Sequence, residues 1–542
     1  MAAPSGSAAK LGGRAAWTAL TLIALTQAMS MVDRQILAIL VPRIKADLHV
    51  ADAEMGLLYG TVFALFYAIF SLPLGRLADG WVRTRLLSVS IIAWSAATAL
   101  AGFANSFGVL ALSRLGVGVG EASVQPAGMS LLADSFPKRK RGMVMAWMAA
   151  AVSLGLGGAL VLGGLTAGAW DDAWPHGGAP LGLKGWQAAF LVASIPGLVL
   201  GVLLMRLPEP ARGAADGHVP PPDPAPFLAA WRTLYAILPL GCWFALAQRR
   251  AGILAWAINL AGLASIIALG LALTAWTEAL RPHAPPLQLA GLTVRASALQ
   301  WLITGFGCYV LLNWLQSLRL TDRPAFALIA RSPAMLLVLA IGALQSVINY
   351  GVMGFTPTYL IQHFHESPAR VGLIFGSVAA VIGILGPLIA GPVSDWAHQR
   401  LPAGRLYVTL ASLTVSPFLG FLTYRAADIV GFYFWFVTYS VALTMWLPPI
   451  YATYLDLVLP RMRGTVISVY ILSMTIIGLG TGPFAVGLIS DSNGGDLATA
   501  ILSLYWIGPL IVALIVAAIV RLPKDEALLV GRAAQAGERF DG

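Results

Sequence analysis

Apolar runs of about twenty residues recur along this chain, joined by short polar connections, and they limit what it can fold into more than any other feature. Hydrocarbon offers no partner to backbone N–H and C=O groups, so a run of that length closes its hydrogen bonds within itself, as a helix. One series of six covers residues 16–41, 55–74, 86–104, 107–133, 142–165 and 188–205. A second covers 336–361, 370–389, 407–422, 430–454, 465–489 and 500–520. Between them lie two further runs, 252–273 and 298–318. Only 11% of the residues are charged and 58% are hydrophobic, against about 25% charged in a soluble domain. The expected fold class is therefore an all-α membrane protein of about 14 transmembrane helices.

A packet of charge and glycine repeats. Residues 75–85 read GRLADGWVRTR, after the second run of the first series. Residues 391–400 read GPVSDWAHQR, after the second run of the second series. Two copies in matching places imply a protein built twice over. Gly75 is expected to end a helix, and Asp79 to stand near the start of the next, where the helix dipole favours a carboxylate. Basic residues gather in alternate loops: Arg76, Arg83 and Arg85; Lys138 to Arg141; Arg249 and Arg250; Arg319 and Arg323; Arg400 and Arg405; Arg461 and Arg463. The positive-inside rule makes that face cytoplasmic, with both termini on it. The opposite loops carry Asp171, Asp172, Asp491 and Asp496. A third inserted span would invert the second copy, so residues 227–247, with Arg232 and Pro239, are expected to be interfacial or re-entrant. The resulting plan is a cytoplasmic tail (1–15), a six-helix bundle (16–206), a linker with an inserted helical pair (207–330), a second bundle (331–521) and a cytoplasmic tail (522–542). The first run holds Asp33 and Arg34 and lacks a small-residue cleavage site, so it reads as a span and not a signal peptide.

Several function classes fall away. The net charge of +10 is scattered among short loops, without the basic stripe and interleaved aromatics that a nucleic-acid partner requires. Cys242 and Cys308 lie in or beside apolar runs and read as inert. The seven histidines fall in loops or at helix ends; His363 and His365 are close, but a metal site there lacks further ligands. No cofactor is expected. No nucleophile, base and orienting group cluster in the loops, so an enzyme is not expected. Gly116, Gly118 and Gly120 lie inside an apolar run with no strand before them, so they read as close helix packing and not a dinucleotide fingerprint.

Gly75, Leu77, Asp79, Arg83 and Arg85 match the G-x-L-x-D-x-x-x-R-x-R/K loop of the major facilitator superfamily, and the chain resembles that superfamily over both six-run series. The second copy keeps Gly391, Asp395 and Arg400. The stretches VDRQILAILVPRIKADL from Val32, RLGVGVGEASVQPAGMSLLADSFP from Arg114 and GPFAVGLISD from Gly482 are similar to the Spinster subfamily. The GEA stretch also occurs in hexuronate and other organic-acid permeases. The inserted pair is not typical of Spinster proteins, and the E-x-x-E-R signature of peptide transporters is missing. The resemblance implies a major facilitator fold of two pseudo-symmetric six-helix bundles. It also implies a conformational latch of Gly75, Asp79, Arg83, Arg85, Arg141 and Asp395, with Asp79 capping a helix and pairing with an arginine such as Arg141.

Charges inside the runs are few, and each costs at least about 2.5–3.5 kcal/mol in hydrocarbon. The first run carries Asp33 and Arg34; the fourth carries Arg114 and Glu121, seven apart and so on one helix face. In the superfamily these two helices line the cavity, which implies Arg114 paired with Asp33 or Glu121. A carboxylate in a low dielectric favours its protonated form, so Asp33 and Glu121 are the candidate proton-coupling residues; the alternative is a purely structural ion pair. Arg34, one position from Asp33, is expected to face elsewhere. The second series offers Gln345, Asn349 and Tyr350, then Tyr439, Thr444 and Trp446. A cavity charged on one side and apolar on the other suits an amphiphile, with Arg114, Arg34, Asn349 and Tyr350 as candidate substrate or ion-pair residues.

The expectation is a secondary, proton-coupled transporter of a lysophospholipid or sphingoid substrate, working by alternating access as a monomer in a bacterial inner membrane. Its partners would be the bilayer, the proton, and a small amphiphile or organic anion. The alternatives are a proton-coupled, hexuronate-like organic-acid permease and a transport-inactive membrane sensor or assembly partner.

Overall fold

The computed structural model describes residues 12–137, 141–175, 178–210, 224–282, 285–289, 292–459 and 462–538. Among them, fourteen helices are long and apolar enough to cross a membrane. In chain order the elements are α1 (Arg14–Leu48), α2 (Asp52–Gly80), α3 (Arg83–Ala101), α4 (Phe107–Leu132), α5 (Arg141–Ala173) and α6 (Gly185–Met205). Two short helices follow, α7 (Pro226–Ile237) and α8 (Pro239–Gln248), bent by 97°. Neither is long enough to span, and Pro239 begins α8, where its missing N–H costs nothing. The inserted pair is α9 (Ile253–Leu280) and α10 (Ala296–Thr321), with a short antiparallel hairpin, β1 (Leu287–Leu289) and β2 (Leu292–Val294), between them. Then come α11 (Arg323–Ala330), α12 (Pro333–His363), α13 (Pro368–Arg400), α14 (Gly404–Tyr424), α15 (Ile429–Asp456), α16 (Thr465–Ser492), α17 (Leu497–Ala527) and α18 (Leu529–Gln535).

Two expectations about the repeated packet change. Gly75 does not end a helix: α2 continues through it to Gly80. Asp79 therefore sits in the last turn of α2, and α3 begins only at Arg83. In the same way Gly391 and Asp395 lie inside α13, which runs on to Arg400. An apolar helix does not stop at a single glycine when its interior hydrogen bonds can continue. A Cβ at Gly75 would lie 3.6 Å from the Pro126 ring, an ordinary contact, so packing does not require glycine there. In the tail, helix continues to Ala527 and resumes in α18.

The chain divides into two compact units. The first holds the chain to Leu40, Ile69–Leu234 and Pro368–Ala380. Its core packs Leu20 and Ile23 of α1 against Leu87, Ile91 and Trp94 of α3, Leu131 of α4 and Leu204 of α6. With no hydrophobic drive between helices in lipid, small residues set their separation. Gly120 of α4 meets Trp94 so closely that a Cβ would lie 2.6 Å from the Trp94 Cβ. Gly157 of α5 likewise leaves room for Ala380 of α13. Helix α4 breaks at Ala122–Ser123. Pro126 removes the hydrogen bond that would reach back to the Ala122 carbonyl, and the break leaves Glu121 as the last residue of the first half-helix.

The second unit holds Val41–Ala68, Tyr235–Ser367 and Val381 onward. Aromatic residues organise one end of it: Tyr359 of α12 packs on Tyr424 of α14 and Phe432 of α15, with centroids 5.3 and 5.9 Å away. Two π-helical turns, Leu57–Thr61 in α2 and Met474–Leu479 in α16, offset their ladders. Gln300 of α10 donates to the Gly480 carbonyl at 2.8 Å, and Thr61 bonds the same oxygen. The inserted pair is thereby fixed to α2 and α16. Its own seam is polar, with Asn259 donating to Asn313 at 2.9 Å and to Gln316 at 2.7 Å. The Trp243 indole of α8 donates to Asn259 at 2.8 Å, so α8 is held against this seam.

Candidate functional site

The first unit gathers the charged residues of α1 and α4. Glu121 is fully buried; its Oε2 accepts a hydrogen bond from Arg34 Nε at 2.6 Å and one from Ser30 Oγ at 2.8 Å. Its other oxygen, Oε1, is buried and takes no hydrogen bond among the described residues. Asp33 turns toward α3, where it accepts from the Trp94 indole at 3.0 Å and from Thr98 at 2.9 Å. Arg114 is buried and donates to the main-chain carbonyl of Asp33 at 2.6 Å. It lies within electrostatic reach of both carboxylates. Two carboxylates and two guanidinium groups thus form a neutral set inside an apolar bundle. Neutrality is what makes it tolerable, because an unpaired buried charge costs several kcal/mol.

This placement corrects two expectations. The close partner of Glu121 is Arg34, not Arg114, and the direct bond from Arg114 goes to the backbone of Asp33. Arg34 does not face elsewhere. Successive helix residues point about 100° apart, so Asp33 addresses α3 while the long Arg34 side chain reaches α4. Five further side chains of the first unit lie in or beside the site and were not foreseen: Ser30, Trp94, Thr98, and Gln27 and Gln125 on α1 and α4, whose amides meet at 3.1 Å. The signal was present, since each is a polar or indole group in an apolar helix.

The second-series candidates form a separate arrangement in the second unit. Gln345 donates to Asn349 at 3.0 Å on α12, and Asn349 and Tyr350 are half-buried. Tyr439 is fully buried and bonds Tyr505 at 2.6 Å. Thr444 bonds back to Ser440 on its own helix, and Trp446 is core. His363 stacks on Tyr359 with centroids 4.9 Å apart.

The repeated packet proves to be an ion-pair device at the start of α3 and again at the start of α14. Arg83, fully buried, binds Asp134 at 2.5 Å, Glu209 at 2.7 Å and Ser130 at 2.9 Å. In the second unit Arg405 binds Asp456, and Asp395 at 3.4 Å. Arginine and aspartate are 51 residues apart in both. The counterpart of Arg83 is therefore Arg405; Arg400 instead lies over the Trp396 ring at 4.2 Å. Asp79 and Arg85 are exposed. The side chain of Arg141 lies outside the described residues, as do Lys138 to Lys140.

A third constellation, unforeseen from the sequence, joins α2, α16 and the inserted pair within the second unit. The Asp491 carboxylate accepts from the backbone N–H groups of Asp52 at 3.1 Å and Ala53 at 3.0 Å. Ser490 donates to Asp52 at 3.0 Å, and Lys45 pairs with Asp52. Arg281, just past the end of α9, binds Glu54 at 3.2 Å and Asp491 at 3.0 Å. Side-chain exposure is 6% for Arg281 and 2% for Glu54.

The family model "Major Facilitator Superfamily" matches residues 23–483. The chain belongs to the Major Facilitator Superfamily. An efflux pump of this superfamily from Mycolicibacterium smegmatis is 24% identical over 90% of this chain and 87% of its own length. The sphingosine-1-phosphate transporter of Danio rerio is 31% identical over 39% of each chain. A probable L-galactonate transporter of Escherichia coli is 28% identical over 34% of this chain and 38% of its own. The chain thus spans well under half the length of these last two relatives. Among solved structures, a bacterial homologue of the human lysosomal transporter Spinster, inward-facing and unoccupied, superposes with a TM-score of 0.63. It is 20% identical, over 96% of this chain and 98% of that one. Within the superfamily the chain resembles the Spinster proteins. It is a multi-pass membrane transporter, not an enzyme.

Proposed function

We propose that this transporter moves an amphipathic, lipid-like molecule of the lysophospholipid or sphingoid type, coupled to protons, by alternating access. The observation that carries the coupling is the fully buried Glu121, paired with a half-buried Arg34, beside Asp33 and Arg114. Glu121 can be neutralised by Arg34 or by a proton. Loading the proton frees Arg34 to meet an anionic headgroup, and losing it draws Arg34 back. Asp33 shares this charge balance through Arg114. The headgroup would lie near Arg114 and Arg34 in the first unit.

The kinship with a sphingosine-1-phosphate transporter supports the amphiphile. The kinship with a probable L-galactonate transporter supports a second reading, an organic-acid permease that uses the same arginines. The basic loops support a bacterial inner-membrane orientation with both termini cytoplasmic. In that orientation the Arg281 network lies at the outer ends of α2 and α16, where it would hold those ends together in one transport state. Gly75, Asp79, Arg83, Arg85 and Asp395 would serve the latch on the cytoplasmic side. The domain plan proposed is two bundles, 16–206 and 331–521, with the inserted segment between them.

The test is flux in proteoliposomes, lysolipid against uronic acid, with and without an imposed proton gradient. Proton-driven lysolipid flux is expected. Uronic-acid flux alone would replace the amphiphile with the second reading, and binding without any flux would favour a sensor.

A further inference from the structure

Five arginines collect at the end of the inserted pair opposite Arg281. Arg319 closes α10, Arg323 opens α11, Arg331 follows α11, and Arg249 and Arg250 precede α9. Three of them border a cavity of about 550 Å³ bounded by the first turn of α9, the last turns of α10, α11, and the end of α18. Arg319, Arg323 and Arg331 all line it, together with Phe326, Leu254 and Leu320. Phe326 lies between two of them, 5.9 Å from the guanidinium carbon of Arg319 and 5.9 Å from that of Arg331. Arg249 donates to the Leu320 carbonyl at 3.3 Å, which fixes the rim.

None of the three lining arginines has a carboxylate partner among the described residues. The nearby acids are Asp322, whose Oδ1 accepts from Ala325 N–H at 3.0 Å as the α11 cap, and Glu538 beyond α18. Elsewhere in the second unit arginines in comparable positions are neutralised, Arg281 by Glu54 and Asp491 and Arg405 by Asp395 and Asp456. Among the described residues, this pocket keeps three arginines together at the ends of membrane helices.

We infer that the Arg319–Arg323–Arg331 pocket binds the phosphodiester headgroup of an anionic phospholipid from the bilayer. Arginine forks match phosphate oxygens, and basic pockets between membrane helices on the cytoplasmic side suit anionic headgroups. The lining decides between a lipid and a soluble phosphate. Beside the arginines the cavity is lined by Leu254, 62% exposed, on the first turn of a membrane helix, where an acyl chain would lie. A bound lipid would tie the inserted pair to α11 and to the C-terminal helix α18. The site is independent of the Asp33–Glu121 cluster and of the transported substrate.

The full-length protein in nonionic detergent would be titrated with phosphatidylglycerol or phosphatidylcholine, and the first bound lipid followed by native mass spectrometry. Preference for phosphatidylglycerol is expected. Each arginine near an anionic headgroup is worth roughly fivefold in affinity, so R319Q/R323Q/R331Q should weaken the first phosphatidylglycerol on the order of a hundredfold. R319K/R323K/R331K keeps the charge and serves if the first variant fails to fold; it should weaken binding by about tenfold through lost bidentate contacts. Unchanged binding in the folded variant, or equal retention of both lipids, would overturn the inference. Displacement by inorganic phosphate at concentrations comparable to the lipid would overturn the assignment to lipid.

Discussion

Replacing Arg281 by glutamine tests how the ends of α2 and α16 are held. Arg281 touches Glu54 and Asp491 at 3.2 and 3.0 Å, and all three side chains are largely out of solvent. Two opposite charges 4 Å apart at an effective dielectric of 20 interact by about 4 kcal/mol, and breaking a buried pair costs about 3–5 kcal/mol because the partner keeps its charge. Asp491 also accepts two backbone N–H bonds from α2, which offset part of that loss. A net cost of about 3 kcal/mol is reasonable, or roughly 150-fold in the balance between joined and separated ends. Spin labels at His49 and Asn493, in a background without Cys242 and Cys308, would report the distance between these ends by pulsed electron resonance. The wild type should show one short distance, and Arg281→Gln a second, longer one carrying much of the population. Arg281→Lys should recover most of the short distance. An unchanged distribution in Arg281→Gln would refute the clamp and reduce the network to a fold contact.

Other outcomes follow from the same reasoning. Arg83→Gln strands Asp134 and Glu209 beside a buried site and should lower stability by about 3–5 kcal/mol. Arg405→Gln, whose partners Asp395 and Asp456 are 64% and 37% exposed, should cost about 1 kcal/mol or less; thermal unfolding in detergent would compare the two. Glu121→Ala should destabilise more than Arg34→Ala with Glu121→Ala combined, with a coupling of about 0.5–3 kcal/mol in a double-mutant cycle. Asn259→Ala, which removes bonds to Asn313 and Gln316, should cost about 0.6–2 kcal/mol and speed proteolysis between α8 and α9.

Much of this molecule was legible from apolar length alone. Among the described residues, the fourteen helices long and apolar enough to span, the inserted pair and the bent α7–α8 segment follow from run length and from where proline and arginine interrupt it. The cluster on α1 and α4 was legible as composition, because charge in hydrocarbon is costly and therefore rare. Its pairing was not. Whether Glu121 meets Arg34 or Arg114 depends on helix rotation and on the break at Ala122–Ser123, set by packing at Gly120 and by Pro126. The second copy of the basic packet was misaligned for a similar reason. Spacing pointed to Arg400, whereas the ion pair is made by the residue that opens the next helix, Arg405. The Arg281 network was invisible because its members lie hundreds of residues apart and each looks like an ordinary loop charge.

The proton is the most exposed part of the proposed function. Proteoliposomes containing a pH-sensitive dye, without an imposed gradient, should acidify or alkalinise when a lysophospholipid gradient is applied, and Glu121→Gln should abolish the pH change while leaving lysolipid binding in place. A pH change of wild-type size in Glu121→Gln, or lysolipid flux in the wild type with no proton movement, would contradict the assignment of the Arg34–Glu121 pair as the coupling site.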